Sequence, residues 1–169
     1  FGVMSEKTYR KVLSELKDVG VKKIWLYGWG EPFTHPKILE FIELAKDNGF
    51  YVAINTNGTL INDDIADFLV RKGVDEIAVS IDAAFPDKYS KIRVGGNLLE
   101  VYKNILRIIN AKKKYDSLKP IMGIVYTVNT ENLYDVFVLA DQASKMKISY
   151  ILVSNLIPTS MEMSKIVCY

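Results

Sequence analysis

The sequence predicts an α/β fold, a parallel sheet covered by helices and built as a doubly wound open sheet, a barrel or a partial barrel. Two observations carry that prediction. Apolar positions alternate along the chain between helical spacing and short β-branched or aromatic runs. The runs themselves read as nearly continuous apolar segments, the pattern of parallel strands buried by helices. No stretch rich in Gly, Pro or Ser separates the units, so one domain is expected, with residues 1–158 as its core and 159–169 as a tail outside the repeat.

The elements follow in order. From Ser5 to Val19, Tyr9, Val12, Leu13, Leu16 and Val19 recur at helical spacing, with Ser5 as N-cap and Gly20 as stop. "VKKIWLY" is a strand by its β-branched and aromatic content. "PKILEFIELAKDNG" is a helix with Pro36 near its first turn and Gly49 at its end. Strand "FYVAINT", helix "NDDIADFLVRKG" capped by Asn62 and stopped by Gly73, and strand "VDEIAVSID" follow. A longer excursion then holds helix "LLEVYKNILRIINAKKK", and after it come strand "IMGIVYTV", helix "ENLYDVFVLADQASK" with Thr130 as cap, and strand "SYILVSN". The count is one helix, then five strands alternating with four more helices.

Composition narrows the function classes. The 169 residues, 49% hydrophobic, suffice for a real core. A net charge of +2 from 22 basic and 20 acidic residues gives no electrostatic footprint for nucleic acid. Lys112 to Lys114 close a helical pattern, where cations suit the negative end of the helix dipole. The lone Cys168 allows no disulfide within the chain and no cysteine-based metal site. No apolar run reaches the length of a membrane span, and the start is not a signal peptide, so a cytoplasmic protein without membrane contact is expected. Richness in Lys, Ile and Tyr with one cysteine is compatible with a thermophile.

Chemistry gathers where the strands end. The five runs end in Gly28-Trp29-Gly30-Glu31-Pro32, in Asn55-Thr56-Asn57-Gly58, in Ser80-Ile81-Asp82, in Thr127-Val128-Asn129 and in Ser154-Asn155. In parallel α/β folds these ends share one edge, the edge that binds ligands. Each alone has the bland explanation of a turn or cap, and Thr59 and Asn62 keep it. Pro32 holds Glu31 extended and leaves carbonyls without ladder partners, while Gly28 and Gly30 let a ligand approach the main chain. Carbonyls beside a carboxylate suit an ammonium group; the other reading of this loop is a tight turn ended by a proline. Arg93 can hold a carboxylate bidentately, with Ser80 adding a hydroxyl, or can be a solvated loop arginine. A barrel hydrolase or isomerase using Glu31 and Asp82 as acid and base is a further reading, although the only histidine, His35, reads as a helix-start residue.

"GWGEP" with a following "HP", then "TNGTLI", "VSID" and "IR", in that order at strand ends, resembles the radical S-adenosylmethionine enzymes. Within them it is most similar to the SPASM-type branch, which modifies peptides, proteins or cofactors, maturases of a tungsten cofactor among them. The resemblance spans roughly Met4 to Pro158 and implies a six-stranded partial (β/α) barrel of the TIM type. It implies that Gly28, Trp29, Gly30 and Glu31 contact the methionyl amine of S-adenosylmethionine, and that Ser80 and Arg93 bind its carboxylate. Asn57 and Asp82 would lie nearer the ribose or the substrate, and Val153, Ser154, Asn155 and Leu156 would pass the adenine. Trp29 replaces a commoner glycine, which points to main-chain contacts.

The sequence departs from that family in one respect. The family's four-iron four-sulfur cluster is held by three closely spaced cysteine thiolates and cleaves S-adenosylmethionine reductively to a 5′-deoxyadenosyl radical. Only Cys168 is present, and five strands are legible where six are implied. With Phe1 in place of an initiator methionine, the expectation is a truncated core, about five strands, lacking the first strand and the cluster loop and inactive as it stands. The cluster would belong to the full-length parent, which would take electrons from a donor protein and act on a cofactor precursor, a peptide or a protein. A cluster-free α/β small-molecule-binding module is the alternative. An unpaired sheet edge would also invite self-association.

Overall fold

A computed structural model of the chain describes residues 2–28 and 30–168. Helix α1 (Glu6–Asp18) starts where the Ser5 hydroxyl accepts the Thr8 N–H. Strand β1 (Lys23–Leu26) leads through a 3-10 turn (Pro32–Thr34) into α2 (Ile38–Asp47). Next come β2 (Tyr51–Thr56), α3 (Asp63–Arg71) and β3 (Glu76–Ser80). The Asn62 side chain caps α3 by accepting the Ile65 N–H. The long excursion holds a helix that periodicity did not reveal, α4 (Pro86–Ile92), before α5 (Leu98–Lys114). Strand β4 (Ile121–Val128), α6 (Asp135–Lys145) and β5 (Tyr150–Asn155) complete the alternation, and the tail carries a single helical turn, α7 (Met161–Ser164). Thr130 does not cap α6. Its place is taken by a buried turn in which Asn129 accepts the Glu131 and Asn132 N–H groups and Asn132 accepts the Asn129 N–H.

All five strands are parallel and lie in sequence order, β1 to β5. Each βα unit adds on the same side, which is how a barrel grows; a doubly wound sheet would reverse direction at a switch point. The outer edges of β1 and β5 are unpaired among the described residues. No helix among these residues is long and apolar enough to cross a membrane.

The strands are less uniform than their sequence suggests, because the two faces of the sheet differ. Val52, Ile54, Ile77, Val79, Met122, Ile124 and Tyr126 point to the helices and form the core with Phe41, Leu69, Ile105 and Leu139. The register puts Lys23 and Trp25, then Tyr51, Ala53 and Asn55, then Glu76, Ala78 and Ser80, then Gly123 and Val125, then Tyr150 and Leu152 on the opposite, concave face. The N-terminal end of that face is tied together at Glu76 of the central strand. Its carboxylate accepts the Tyr150 hydroxyl from β5 at 2.5 Å, the Lys23 ammonium from β1 at 2.9 Å and the Tyr51 hydroxyl from β2 at 3.1 Å. Lys23 also lies over the Trp25 and Tyr51 rings, 4.8 and 4.6 Å from their centroids. A Cβ on Gly123 would come within 2.6 Å of three Tyr150 ring atoms, so the ring packs here against a position without a side chain.

Burial works to raise the Glu76 pKa, but hydrogen bonds from Tyr150, Lys23 and Tyr51 outweigh it and hold the carboxyl below its ordinary 4.5. A carboxyl whose folded pKa is depressed stabilises the fold above its unfolded pKa and loses that contribution as pH falls through the folded value. Wild type should therefore exceed Glu76→Gln in urea-denaturation stability at pH 7, and the gap should close as pH is lowered below 4.5. A gap that stays constant to pH 3 would exclude this role for Glu76.

Candidate functional site

The first strand ends in a loop that only glycine can follow, because Gly28 and Gly30 have φ of 147° and 123°. Glu31, extended before Pro32, turns its carboxylate back to the end of β2. One oxygen accepts the Thr56 hydroxyl at 2.6 Å and the Phe33 N–H at 3.2 Å, and the other accepts the Asn57 N–H at 2.6 Å. A carboxylate offers about four acceptor positions, so three are already taken. Glu31 lines the cleft but spends most of its capacity holding two strand ends in place. Among the described residues no main-chain N–H is paired with the Gly28 or Gly30 carbonyl. Trp29, expected at the same site, lies outside the described residues.

The turn after β2 is equally fixed. Asn57 accepts the Thr59 N–H and hydroxyl, so its side chain serves the turn. Gly58 has φ of 76°, and a Cβ there would come within 2.9 Å of Val79 and 3.1 Å of Val101. Its carbonyl accepts from Asn104, a 1% exposed residue of α5 that also reaches the Thr59 carbonyl.

Arg93, just past α4, is held from behind by Asp82. The Asp82 carboxylate accepts the Arg93 Nε at 2.7 Å and Nη2 at 2.6 Å with one oxygen, and the Thr127 N–H at 2.8 Å with the other. Asp82 is 6% exposed. It is turned to the guanidinium and the end of β4, which leaves little of it open to a ligand. Asn132, wholly buried, donates to the Asp82 and Thr127 carbonyls and so staples the ends of β3 and β4. Ser80 donates to Asn55 at 3.1 Å.

Together these residues frame a polar cleft of about 390 Å³ between Tyr27, Gly28, Gly30 and Glu31 on one side and Asn55, Ser80 and Arg93 on the other. Asn57 lies in its wall. Arg93 and Asp82 also border a second cleft of about 520 Å³, whose apolar wall is Leu156, Met163 and Ile166. The tail is docked there by the Thr130 N–H, which donates to the Ile166 carbonyl at 2.9 Å. Of the four residues expected beside a base, Leu156 borders this cleft. Val153, Ser154 and Asn155 are exposed on the edge strand, and Asn155 donates to the Cys168 carbonyl.

The lining suits a zwitterion: the Gly28 and Gly30 carbonyls, unpaired among the described residues, could accept from an ammonium, and the braced guanidinium could donate to a carboxylate. An α-amino acid headgroup such as that of S-adenosylmethionine therefore fits this cleft. An iron–sulfur cluster does not fit the described residues, which hold no group of three His, Cys, Asp or Glu placed to bind a metal and only one cysteine. Tyr27, Asn104 and Asn132 were not singled out from sequence, and Asn55 and Thr56 were named only as part of a strand end. Asn104 and Asn132 look like ordinary helix or turn residues, and only the third dimension brings them under the site.

Residues 1–140 match the model of the radical SAM superfamily. The tungsten-containing aldehyde ferredoxin oxidoreductase cofactor-modifying protein of Pyrococcus furiosus is 29% identical over 99% of this chain and 48% of its own length. A probable GTP 3',8-cyclase of Methanococcus maripaludis is 36% identical over 63% of this chain and 36% of its length. The chain thus spans about half, or less, of the relatives it matches. Among solved structures, Streptococcus suis SuiB bound to S-adenosylmethionine superposes with a TM-score of 0.77 at 16% identity, covering 95% of this chain and 36% of that one. The likeness confirms a partial-barrel α/β fold.

The Glu31 bracing gives a local prediction. Glu31→Ala strands three donors and should cost about 1–3 kcal/mol in urea denaturation. It should also speed deuterium exchange at the Asn57 amide while leaving core amides such as Ile77 unchanged. Unaltered Asn57 exchange would show that the carboxylate does not hold this turn.

Proposed function

The chain belongs to the radical S-adenosylmethionine superfamily, and from that membership we propose that its C-terminal edge binds S-adenosylmethionine for use in maturing a cofactor, a peptide or a protein. The observation that carries the proposal is Arg93, braced by buried Asp82 and bordering the same cleft as the Gly28 and Gly30 carbonyls. When bound, S-adenosylmethionine would supply a carbon radical on cleavage of its sulfonium by one electron delivered from a reduced cluster and donor outside these residues.

The chain's own residues bind and orient. The guanidinium of Arg93 has donors left after its two bonds to Asp82, and these take the methionyl carboxylate. Ser80 adds a hydroxyl by turning from Asn55. Carbonyls of the Gly28–Gly30 loop accept the amine, with Glu31 setting the loop's position through Thr56 and Asn57. The second cleft would hold the adenosine, with Leu156, Met163 and Ile166 as an apolar wall for the base. The names of the relatives, a cofactor-modifying protein among them, support a role in maturation.

A cluster-free binding role is the second reading, favoured by the absence of cluster ligands among the described residues. One experiment separates the two. The protein from its complete coding sequence is reconstituted anaerobically with iron and sulfide, reduced, and assayed for 5′-deoxyadenosine formed from S-adenosylmethionine. Product formation supports the enzyme reading; binding by calorimetry with neither cluster nor product supports the second. In either case Arg93→Ala should weaken S-adenosylmethionine binding by about 1.5–3 kcal/mol, roughly ten- to a hundredfold. Asp82→Asn, which leaves Arg93 in place but unbraced, should weaken it by less. Unchanged affinity in both variants would remove the assignment.

A further inference from the structure

Arg93 stands on the longest connection between strands, and that connection has little to hold it from within. Between β3 and α5 it carries only α4, seven residues long, whose first turn has no side-chain cap. A helix that short is not stable alone and takes its place from what it packs against. Here the polar anchors come from the start of α6. Asn132 and Asp135 are 0% and 4% exposed, and neither has a part in the binding proposal. Asn132 donates from Nδ2 to the Asp82 carbonyl at 2.8 Å, where the connection leaves β3, and to the Thr127 carbonyl at 2.9 Å. Its Oδ1 accepts the Asn129 N–H, and its own carbonyl accepts the Tyr126 hydroxyl and the Asp135 N–H. Asp135 accepts the Lys88 ammonium of α4 at 2.6 Å with one oxygen and the Ala84 N–H at 3.4 Å with the other.

We infer that Asn132 and Asp135 are positioning residues for Arg93: from the start of α6 they clamp the segment that carries α4 and so fix where the guanidinium meets a carboxylate. This rests on the proposed binding of the methionyl carboxylate by Arg93. A buried turn with its polar groups bonded is common in any fold, so what matters is where these bonds lead. Asn132 holds the main chain of the residue whose carboxylate braces Arg93. Asp135 holds the helix that Arg93 itself terminates. A guanidinium grips a carboxylate through a planar fork, which a small displacement of α4 would spoil. An ammonium or an adenosine bound elsewhere in the clefts would not feel that displacement.

The experiment compares two ligands on the protein from its complete coding sequence: S-adenosylmethionine, and decarboxylated S-adenosylmethionine, which keeps the ammonium, the sulfonium and the adenosine. Asn132→Ala and Asp135→Asn, the latter of unchanged size, are measured by calorimetry alone and combined with Arg93→Ala. Each single variant should weaken S-adenosylmethionine binding about three- to tenfold and shift the decarboxylated ligand by less than about twofold. Added to Arg93→Ala, neither should cost S-adenosylmethionine more than about a further twofold, since each acts through the arginine. Equal weakening of both ligands, or losses that add to that of Arg93→Ala, would mean that the two residues only hold the fold and would overturn the inference. Unchanged S-adenosylmethionine affinity in a variant, where Arg93→Ala weakens it, removes that residue from the role while the binding proposal stands. If Arg93→Ala itself changes nothing, the binding proposal falls and the clamp falls with it.

Discussion

A carboxylate that takes its hydrogen bonds from neighbouring strands acts as a strut, and this half-barrel depends on three of them. Glu76 gathers β1, β2 and β5 onto the central strand at the N-terminal end. Glu31 ties the loop after β1 to the end of β2, and Asp82 ties the arginine after α4 to the end of β4. Parallel strands fan apart as the sheet curves, and their ends lose ladder partners there. A side chain with two oxygens can bridge the gap where a main-chain hydrogen bond cannot reach. Removing one such acceptor leaves buried donors unpaired, which is why these acids matter more to shape than their number suggests.

The struts also settle which charges are free. Glu31 lines the polar cleft and Asp82 braces its arginine, and both are consumed internally. What remains to meet a ligand is part of one guanidinium and a set of carbonyl dipoles. That balance favours a ligand with a carboxylate at one end and an ammonium at the other. It disfavours acid–base catalysis by Glu31 and Asp82, because Glu31 already accepts three hydrogen bonds and both oxygens of Asp82 are engaged.

Most elements were legible in sequence, since periodicity and caps such as Ser5 and Asn62 report local physics. α4 was missed because seven residues give too short a repeat, and Thr130 misled because the Asn129–Asn132 turn satisfies the same donors differently. In the site, Gly28, Gly30, Glu31, Asn57 and Ser80 from strand ends line one cleft with Arg93 from the longer excursion. The bracing by Asn104 and Asn132 was not legible, because an asparagine within a helix or turn carries no mark of what lies across from it. The two faces of the sheet were hidden for a different reason. Ala53, Ala78 and Gly123 count as apolar in a run, so a strand with one filled core face and one concave face reads as continuous.

The same alternation separates stability from function along each strand. In β3, Glu76 and Ser80 lie on one face, two pleats apart, with Ala78 between them. The first is tied to β1, β2 and β5 and the last lines the polar cleft, so a substitution at the first bears on the sheet and one at the second on the cleft. Ala78 is buried, and a side chain on Gly123 would have to displace the Tyr150 ring. The boundary between the two halves is therefore steric and runs through residues with almost no side chain. Changes in what this site accepts are expected to come through the C-terminal ends of the strands, where side chains can differ without disturbing the bonds to Glu76, and through the loops that follow them.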